Sequence, residues 1–394
     1  MKQRTRLQVG TLFSGIGAFE QAFKQMKVPH KIVFACDNGE RYLKESEEYL
    51  RLVTANMTQQ DKDMFIRALY ERTGKPNNVR ASYEANYGVM GEHWHDDVRF
   101  MDGRQYAGQI DILVGGSPCQ SFSTYGKKRG LEDARGTLFY DYARVIKEVQ
   151  PKVFIFENVR GLVVHDGGET WKTMKQIFEG KDFNYEVFGP EILDAQKYGL
   201  PQMRKRVFVV GIKKELGITS FEFPKPIPLM LRVTSVDDEG CPVFLVPPER
   251  VPIEYYLPEK GYKWVTEVER NQNKARINRE IIGCQTAVQQ MNWSGDFRME
   301  VAQKRHKAPG SGVFVTRYRG PDERLRKEFG DQEVVVRKLM PEECLRLMGF
   351  KDFKIVVDDN TAWRQAGNSI AVPVLKALTK AILEQVFQRK GLSK

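Results

Sequence analysis

Five short apolar runs, Leu7 to Phe13, Lys31 to Cys36, Ile110 to Val114, Val153 to Glu157 and Val207 to Ile212, recur along the chain between stretches of helical periodicity. Runs this short, alternating with helices, predict strands of a mostly parallel sheet with helices on both faces. The fold class is therefore α/β, a doubly wound Rossmann-like sheet. In such sheets ligands gather beyond the carboxyl ends of the strands, so the loops that follow these runs are where chemistry belongs.

The first run ends in Phe13-Ser-Gly-Ile-Gly-Ala, and Phe19, Ala22, Phe23 and Met26 then follow at helical spacing. A glycine loop that opens a helix offers backbone amides to a ligand. It has neither the full Gly-x-Gly-x-x-Gly spacing nor a Gly-Lys-Ser/Thr, which favours a small nucleoside cofactor over a dinucleotide or a nucleoside triphosphate. A plain structural turn is the other reading. The second run ends in Ala35-Cys36-Asp37-Asn38, where a carboxylate is placed either to accept ribose hydroxyls or to cap a helix. The third leads into Gly115-Gly-Ser-Pro-Cys119-Gln-Ser-Phe-Ser. Pro118 fixes its own φ and drives Ser117 out of the α region, so Cys119 sits on a stiff loop. Lys127, Lys128 and Arg129 follow closely, and a thiol there depends on loop amides and positive charge for its thiolate. The bland alternative is a turn that holds one of the five cysteines.

At 394 residues the chain has room for two domains. Its net charge of +11 favours a polyanionic partner. Cys36, Cys119, Cys241, Cys284 and Cys344 are far apart and never in Cys-x-x-Cys spacing, against a disulfide framework and against a metal site. No stretch approaches the roughly 18 apolar residues of a membrane span, and the expectation is a cytoplasmic protein with no membrane association. Residues 41–80 are charged and helix-forming, and are expected to be an inserted, solvated helical pair. From Lys214 to Gln332 the alternation stops, prolines accumulate, and basic and aromatic residues interleave around Arg298 to Lys307 and Arg317-Tyr-Arg-Gly. This predicts a second, smaller, irregular and mostly β domain with a nucleic-acid groove.

Taken in order, Phe13-Ser-Gly-Ile-Gly, Pro118-Cys-Gln, Phe156-Glu-Asn-Val, Gln202-Met-Arg-Lys-Arg206, a long variable region and Gly367-Asn-Ser369 resemble the DNA (cytosine-5)-methyltransferases of bacterial restriction-modification systems. The resemblance implies a catalytic and cofactor-binding domain over 1–213, with 41–80 inserted, and a target-recognition domain with a supporting helix over 214–355. Residues 356–394 would return to the catalytic domain. It also implies methyl transfer from S-adenosylmethionine to carbon 5 of a cytosine flipped out of double-stranded DNA. Cys119 would add to carbon 6, Glu157 would stabilise ring nitrogen 3, and Arg204 and Arg206 would contact the base oxygen and support the thiolate loop. Asn158 would orient that loop.

For the cofactor the resemblance implies Phe13, Ser14, Gly15, Ile16 and Gly17 around methionine and adenine, Asp37 and Asn38 at the ribose, and Asp97 with Val98 at the adenine. Pro118, Asn368 and Ser369 complete that set. DNA contacts would come from Ser121, Ser123, Tyr125, Lys127 and Arg135 in a loop closing over the base, and from Thr316 and Arg317 in the recognition domain. The expected protein is a monomer without metal, with a cognate restriction endonuclease as its possible companion. A transfer-RNA cytosine-5 methyltransferase and an inactive DNA-binding homologue are the alternatives.

Overall fold

The computed structural model describes residues 6–88, 93–117, 138–180, 183–267 and 275–388. The chain divides into two compact units, one of Met1–Asp194, Lys205–Pro226 and Val374–Lys394, the other of Ala195–Arg204 and Ile227–Pro373.

The first unit is built on seven strands: β1 (Leu7–Leu12), β2 (His30–Cys36), β3 (Trp94–His95), β4 (Ile112–Gly115), β5 (Val153–Val159), β6 (Tyr185–Asp194) and β7 (Lys205–Lys213). Their order in the sheet is β3-β2-β1-β4-β5-β7-β6. Strands β1 to β5 pair in parallel, whereas β7 runs antiparallel to both β5 and β6. The order turns around between β1 and β4, and the carboxyl ends of the parallel strands open there, as expected of a doubly wound sheet. Strand β4 is buried along its whole length because helices cover both faces, which is why it reads as an unbroken apolar run.

Six helices belong to this part of the chain among the described residues: α1 (Ala18–Met26), α2 (Glu47–Val53), α3 (Gln59–Arg72), α4 (Asn78–Tyr87), α5 (Leu138–Val149) and α6 (Glu169–Phe178). Phe139 and Tyr142 of α5 lie 5.9 and 5.3 Å from the Phe156 ring on β5, and Phe178 of α6 lies 4.9 Å from Phe154. Each such ring, fully buried, contributes about 1.5–3 kcal/mol, so this aromatic layer anchors the strand end that carries Glu157.

Residues 41–80 are not a solvated pair. Helices α2 and α3 share their own core of Leu50, Ile66, Leu69 and Tyr70 with Phe100. Arg41 and Arg67 each donate to Asp96 at 2.8 Å, so these arginines are fixed ligands of a buried carboxylate and not a wet face.

In the second unit β8 (Ala275–Ile277), β9 (Gly295–Val301), β10 (Thr316–Arg317) and β11 (Glu333–Lys338) form a sheet in the order β10-β11-β9-β8. Phe297, Met299, Val334 and Val336 alternate onto one face and pack with Tyr262 of α7 (Glu259–Thr266) and Leu325 of α8 (Glu323–Phe329). The alternate positions are ionic. Arg337, 1% exposed, bridges Glu300 at 2.7 Å and Glu343 of α9 (Pro341–Arg346) at 2.8 Å. Removing one member of a buried ion pair leaves the others uncompensated. Arg337→Ala should therefore destabilise this unit by roughly 3–5 kcal/mol, seen as an earlier urea-unfolding transition; a loss below about 1 kcal/mol would show the network to be dispensable.

The unit boundaries differ from 214 and 356. Ala195–Arg204 joins the second unit because Gln202 and Arg204 bond there, and α10 (Asp359–Asn368) stays with it. The chain returns to the first unit at Val374, within α11 (Val372–Ile382). Among the described residues no helix is long and apolar enough to cross a membrane, and no group of His, Cys, Asp and Glu is placed to hold a metal ion.

Candidate functional site

At the end of β1 the chain turns through Phe13 (φ 52°), Gly15 (φ 52°) and Gly17 (φ 78°), three left-handed residues in five. Ser14 pins this loop to β2: its amide donates to the Cys36 carbonyl at 3.1 Å, and its Oγ accepts from the Cys36 amide at 3.0 Å. Ile16 is buried and Gly17 caps α1. A Cβ on Gly15 would meet nothing within 4 Å, so the loop leaves open space beside its backbone.

Asp37, just past β2, holds two loops at once. One carboxylate oxygen accepts from the Gly15 amide at 2.9 Å and the other from the Gly39 amide at 2.8 Å. Burial pushes the Asp37 carboxyl above its ordinary range, and these two amide bonds oppose that shift. Each oxygen keeps further lone-pair capacity for a ligand hydroxyl. Asn38 is a turn residue, its side chain bonded to the Glu40 amide and the Arg41 carbonyl.

Asp97 and Val98, expected at an adenine, both make bonds within the protein. The two Asp97 oxygens are taken by the Arg99 amide at 3.0 Å, the Arg99 guanidinium at 2.6 Å and the Tyr70 hydroxyl at 2.7 Å. Val98 is packed in the main core and its carbonyl accepts from Arg144 at 2.6 Å.

Strands β4 and β5 bring the next elements together. Asn158 Nδ2 donates to the Ser117 carbonyl at 2.9 Å. A Cβ on Gly116 would stand 2.4 Å from the Glu157 carbonyl and 3.1 Å from its Oε2, so only glycine lets the strand end pass so close to that carboxylate. Across the antiparallel β5–β7 pair, Arg206 stands opposite Val159, and its Nε lies 3.3 Å from Glu157 Oε1 on the diagonal. Both side chains are mostly buried, at 18% and 14% exposure, so water screens the pair only partly. The ribbon 115–117 thus reaches Glu157 with its backbone fixed. Pro118, Cys119, Ser121, Ser123, Tyr125, Lys127 and Arg135 lie outside the described residues.

Arg204 has a different task from Arg206. It is 2% exposed, and its guanidinium donates to the carbonyls of Gln285 at 2.7 Å, Gly367 at 3.0 Å and Ser369. With both terminal nitrogens donating to backbone carbonyls inside the second unit, it is a clamp on the loop 367–369. Gln202, which the sequence motif contains but which was given no role, is fully buried and joins the Leu347 carbonyl to the Gln285 amide. Asn368 is exposed at the end of α10 and Ser369 is buried behind it. Thr316 and Arg317 form the edge strand β10, where Arg317 lies 4.0 Å from Asp331. Cys344 is fully buried, and burial pushes its thiol well up, which makes it core.

A family model described as C-5 cytosine-specific DNA methylase matches residues 74–384. Type II methyltransferase M.HpaII of Haemophilus parainfluenzae is 34% identical over 312 residues, covering 78% of this chain and 81% of that protein. Type II methyltransferase M.HhaI of Haemophilus parahaemolyticus is 32% identical over 298 residues, covering 75% and 81%. Among solved structures, the Entamoeba histolytica methyltransferase EhMeth superposes with a TM-score of 0.63 at 13% identity, covering 97% of this chain and 99% of its own. The S. pombe Dnmt2 methyltransferase gives 0.57 at 18% identity, covering 96% and 99%, and these two likenesses concern the fold alone.

Proposed function

The chain belongs to the C-5 cytosine-specific DNA methylase family and is a DNA cytosine-5 methyltransferase; from that premise we propose that it uses S-adenosylmethionine, a covalent Cys119 adduct and a flipped-out cytosine, as the modification enzyme of a restriction-modification system. The observation that carries the reading is the meeting of Gly116, Ser117, Glu157 and Arg206 at the ends of β4, β5 and β7.

Cytosine carbon 5 is too weak a nucleophile to accept a methyl group unaided. The Cys119 thiolate adds to carbon 6, forming a carbon–sulfur bond and pushing electron density towards carbon 5 and nitrogen 3. Glu157 meets that density at nitrogen 3, by proton or by hydrogen bond, and Arg206 fixes the carboxyl in place. Asn158 holds Ser117, and with it the approach of the thiol loop. Carbon 5 takes the methyl group as the donor's carbon–sulfur bond breaks, and loss of the carbon 5 proton to water and of the Cys119 sulfur then restores the aromatic ring and the free enzyme.

The geometry of two loops supports this donor. The space beside Gly15 and the spare acceptor capacity of Asp37 suit a nucleoside with two ribose hydroxyls. Bound there, S-adenosylmethionine supplies an electrophilic methyl group on sulfur. The residues of the first unit that would hold it are Phe13 to Gly17 and Asp37, and in the second unit Thr316 and Arg317 of β10 would contact DNA.

Base-resolution sequencing of plasmid DNA from a host without cytosine methylation, expressing this chain, should show 5-methylcytosine confined to one short motif. Unmodified DNA beside soluble protein would overturn the reading. Asp37→Ala should weaken donor binding roughly tenfold, because it removes an anion held by two amides, while the rate at saturating donor changes less. Calorimetry with unchanged affinity would remove Asp37 from the site.

A further inference from the structure

We propose that Asn77 and Tyr83, on the helical segment between β2 and β3, are positioning residues for the methyl donor: Asn77 sets the loop that carries Asp37, and Tyr83 sets the glycine loop through Glu20. The proposal rests on the donor site assigned above and gives residues 41–80 and α4 a task in it.

Helix α4 touches both loops. At its start Asn77 is the N-cap, its Oδ1 accepting from the Arg80 amide at 3.0 Å. The same side chain turns its Nδ2 to the Asp37 carbonyl at 3.0 Å. Its Oδ1 stands 2.3 Å from where a Cβ on Gly39 would be, so the Asp37–Gly39 turn is pressed directly against this amide. Asp37 in turn holds the Gly15 amide, which passes the constraint from α4 to the glycine loop.

Further along the helix, the Tyr83 hydroxyl donates to Glu20 Oε1 in the first turn of α1. Both side chains are almost wholly buried, at 0% and 2% exposure, and among the described residues no cation is paired with Glu20. The hydrogen bond from Tyr83 is therefore a principal stabiliser of that carboxylate. Thr11, at the end of β1, also bonds Glu20 and lies 2.8 Å from Ser14 Oγ, the pin of the glycine loop. One turn on, Tyr87 lies so close to Gly17 that a Cβ there would stand 2.2 Å from its ring, and its hydroxyl reaches Gln21 at 3.3 Å. Asn77, Tyr83 and Tyr87 thus bring α4 onto the two turns assigned to the donor, while Asn77 and Arg80 also reach Asp96 at 3.4 and 3.8 Å.

Two substitutions separate positioning from folding. Asn77→Ser keeps a good N-cap but is too short to bridge to Asp37. Tyr83→Phe keeps the ring packed on Trp94, 5.2 Å away, and loses only the hydroxyl. Each should raise the KM for S-adenosylmethionine roughly tenfold, about 1.4 kcal/mol, with kcat at saturating donor and KM for DNA within about twofold. Unchanged donor KM in both variants, or equal losses in kcat and in KM for DNA, would overturn the proposal. If the unaltered protein transfers no methyl group, the functional reading fails first. The brace is then read by calorimetric binding of S-adenosylmethionine: tenfold weaker binding by the variants supports it, and equal binding, or none to the unaltered protein, sinks it.

Discussion

Cys119→Ser should reduce methyl transfer by at least about a thousandfold while donor affinity stays within about twofold. The reason is one of ionisation. A thiol with an ordinary pKa near 8.5 gives up its proton near neutral pH when positive charge lowers that value, whereas a serine hydroxyl in the same place stays protonated. The described residues leading to position 119 support the separation of the two effects: Ser117 is tied to Asn158, while the donor loops are tied to each other through Asp37 and Ser14. A duplex whose target cytosine carries fluorine at carbon 5 has no proton there to lose, so the unaltered enzyme should stay bonded to it through sulfur. Denaturing electrophoresis should show that adduct for the unaltered protein and none for the variant. An adduct with the serine form, or transfer within tenfold of normal, would place the nucleophile elsewhere.

Much of the first unit was legible because burial on both faces leaves its mark on composition. The apolar runs around Val9, Phe34, Leu113, Phe154 and Val209 became strands, since little else but a covered parallel strand tolerates such a run. Strand β6 was missed for the converse reason. It is an edge strand, only partly buried, and it contains Gly189-Pro190, a pair that argues against a central strand but is tolerated at an edge.

Side-chain partners distant in sequence were the least legible. Arg41 finds Asp96 across 55 residues, and Tyr83, just past the charged stretch, finds Glu20 across 63, separations that spacing along the sequence does not reveal. The two arginines of the Gln-x-Arg-x-Arg motif look equivalent as letters. Their strand geometry divides them: Arg206 sits on β7 facing Glu157, whereas Arg204 precedes that strand and turns into three carbonyls of the second unit, to which it belongs. Spacing shows that a motif is present, and packing decides which of its members reaches the chemistry.

That division bears on Glu157→Gln, which should slow the chemical step by about 10²–10³-fold, some 2.7–4 kcal/mol, at nearly unchanged donor KM. Glutamine keeps the shape over Gly116 and still accepts a hydrogen bond, so the strand end should stay in place. What it loses is the proton and the charge. Arg206, mostly buried and 3.3 Å away, would then face an uncharged amide, and the growing density on nitrogen 3 would have only a weak donor to meet it. Arg206→Lys should fall between, since an ammonium keeps the charge but not the planar fork that orients the carboxyl. Single-turnover rates on a duplex with one target site separate these effects from product release. If Glu157→Gln stayed within a few fold of the unaltered enzyme, the carboxyl would not act on the ring. If Arg206→Lys were as slow as Glu157→Gln, the arginine would touch the base itself, because a residue acting only through Glu157 cannot cost as much as losing the carboxylate.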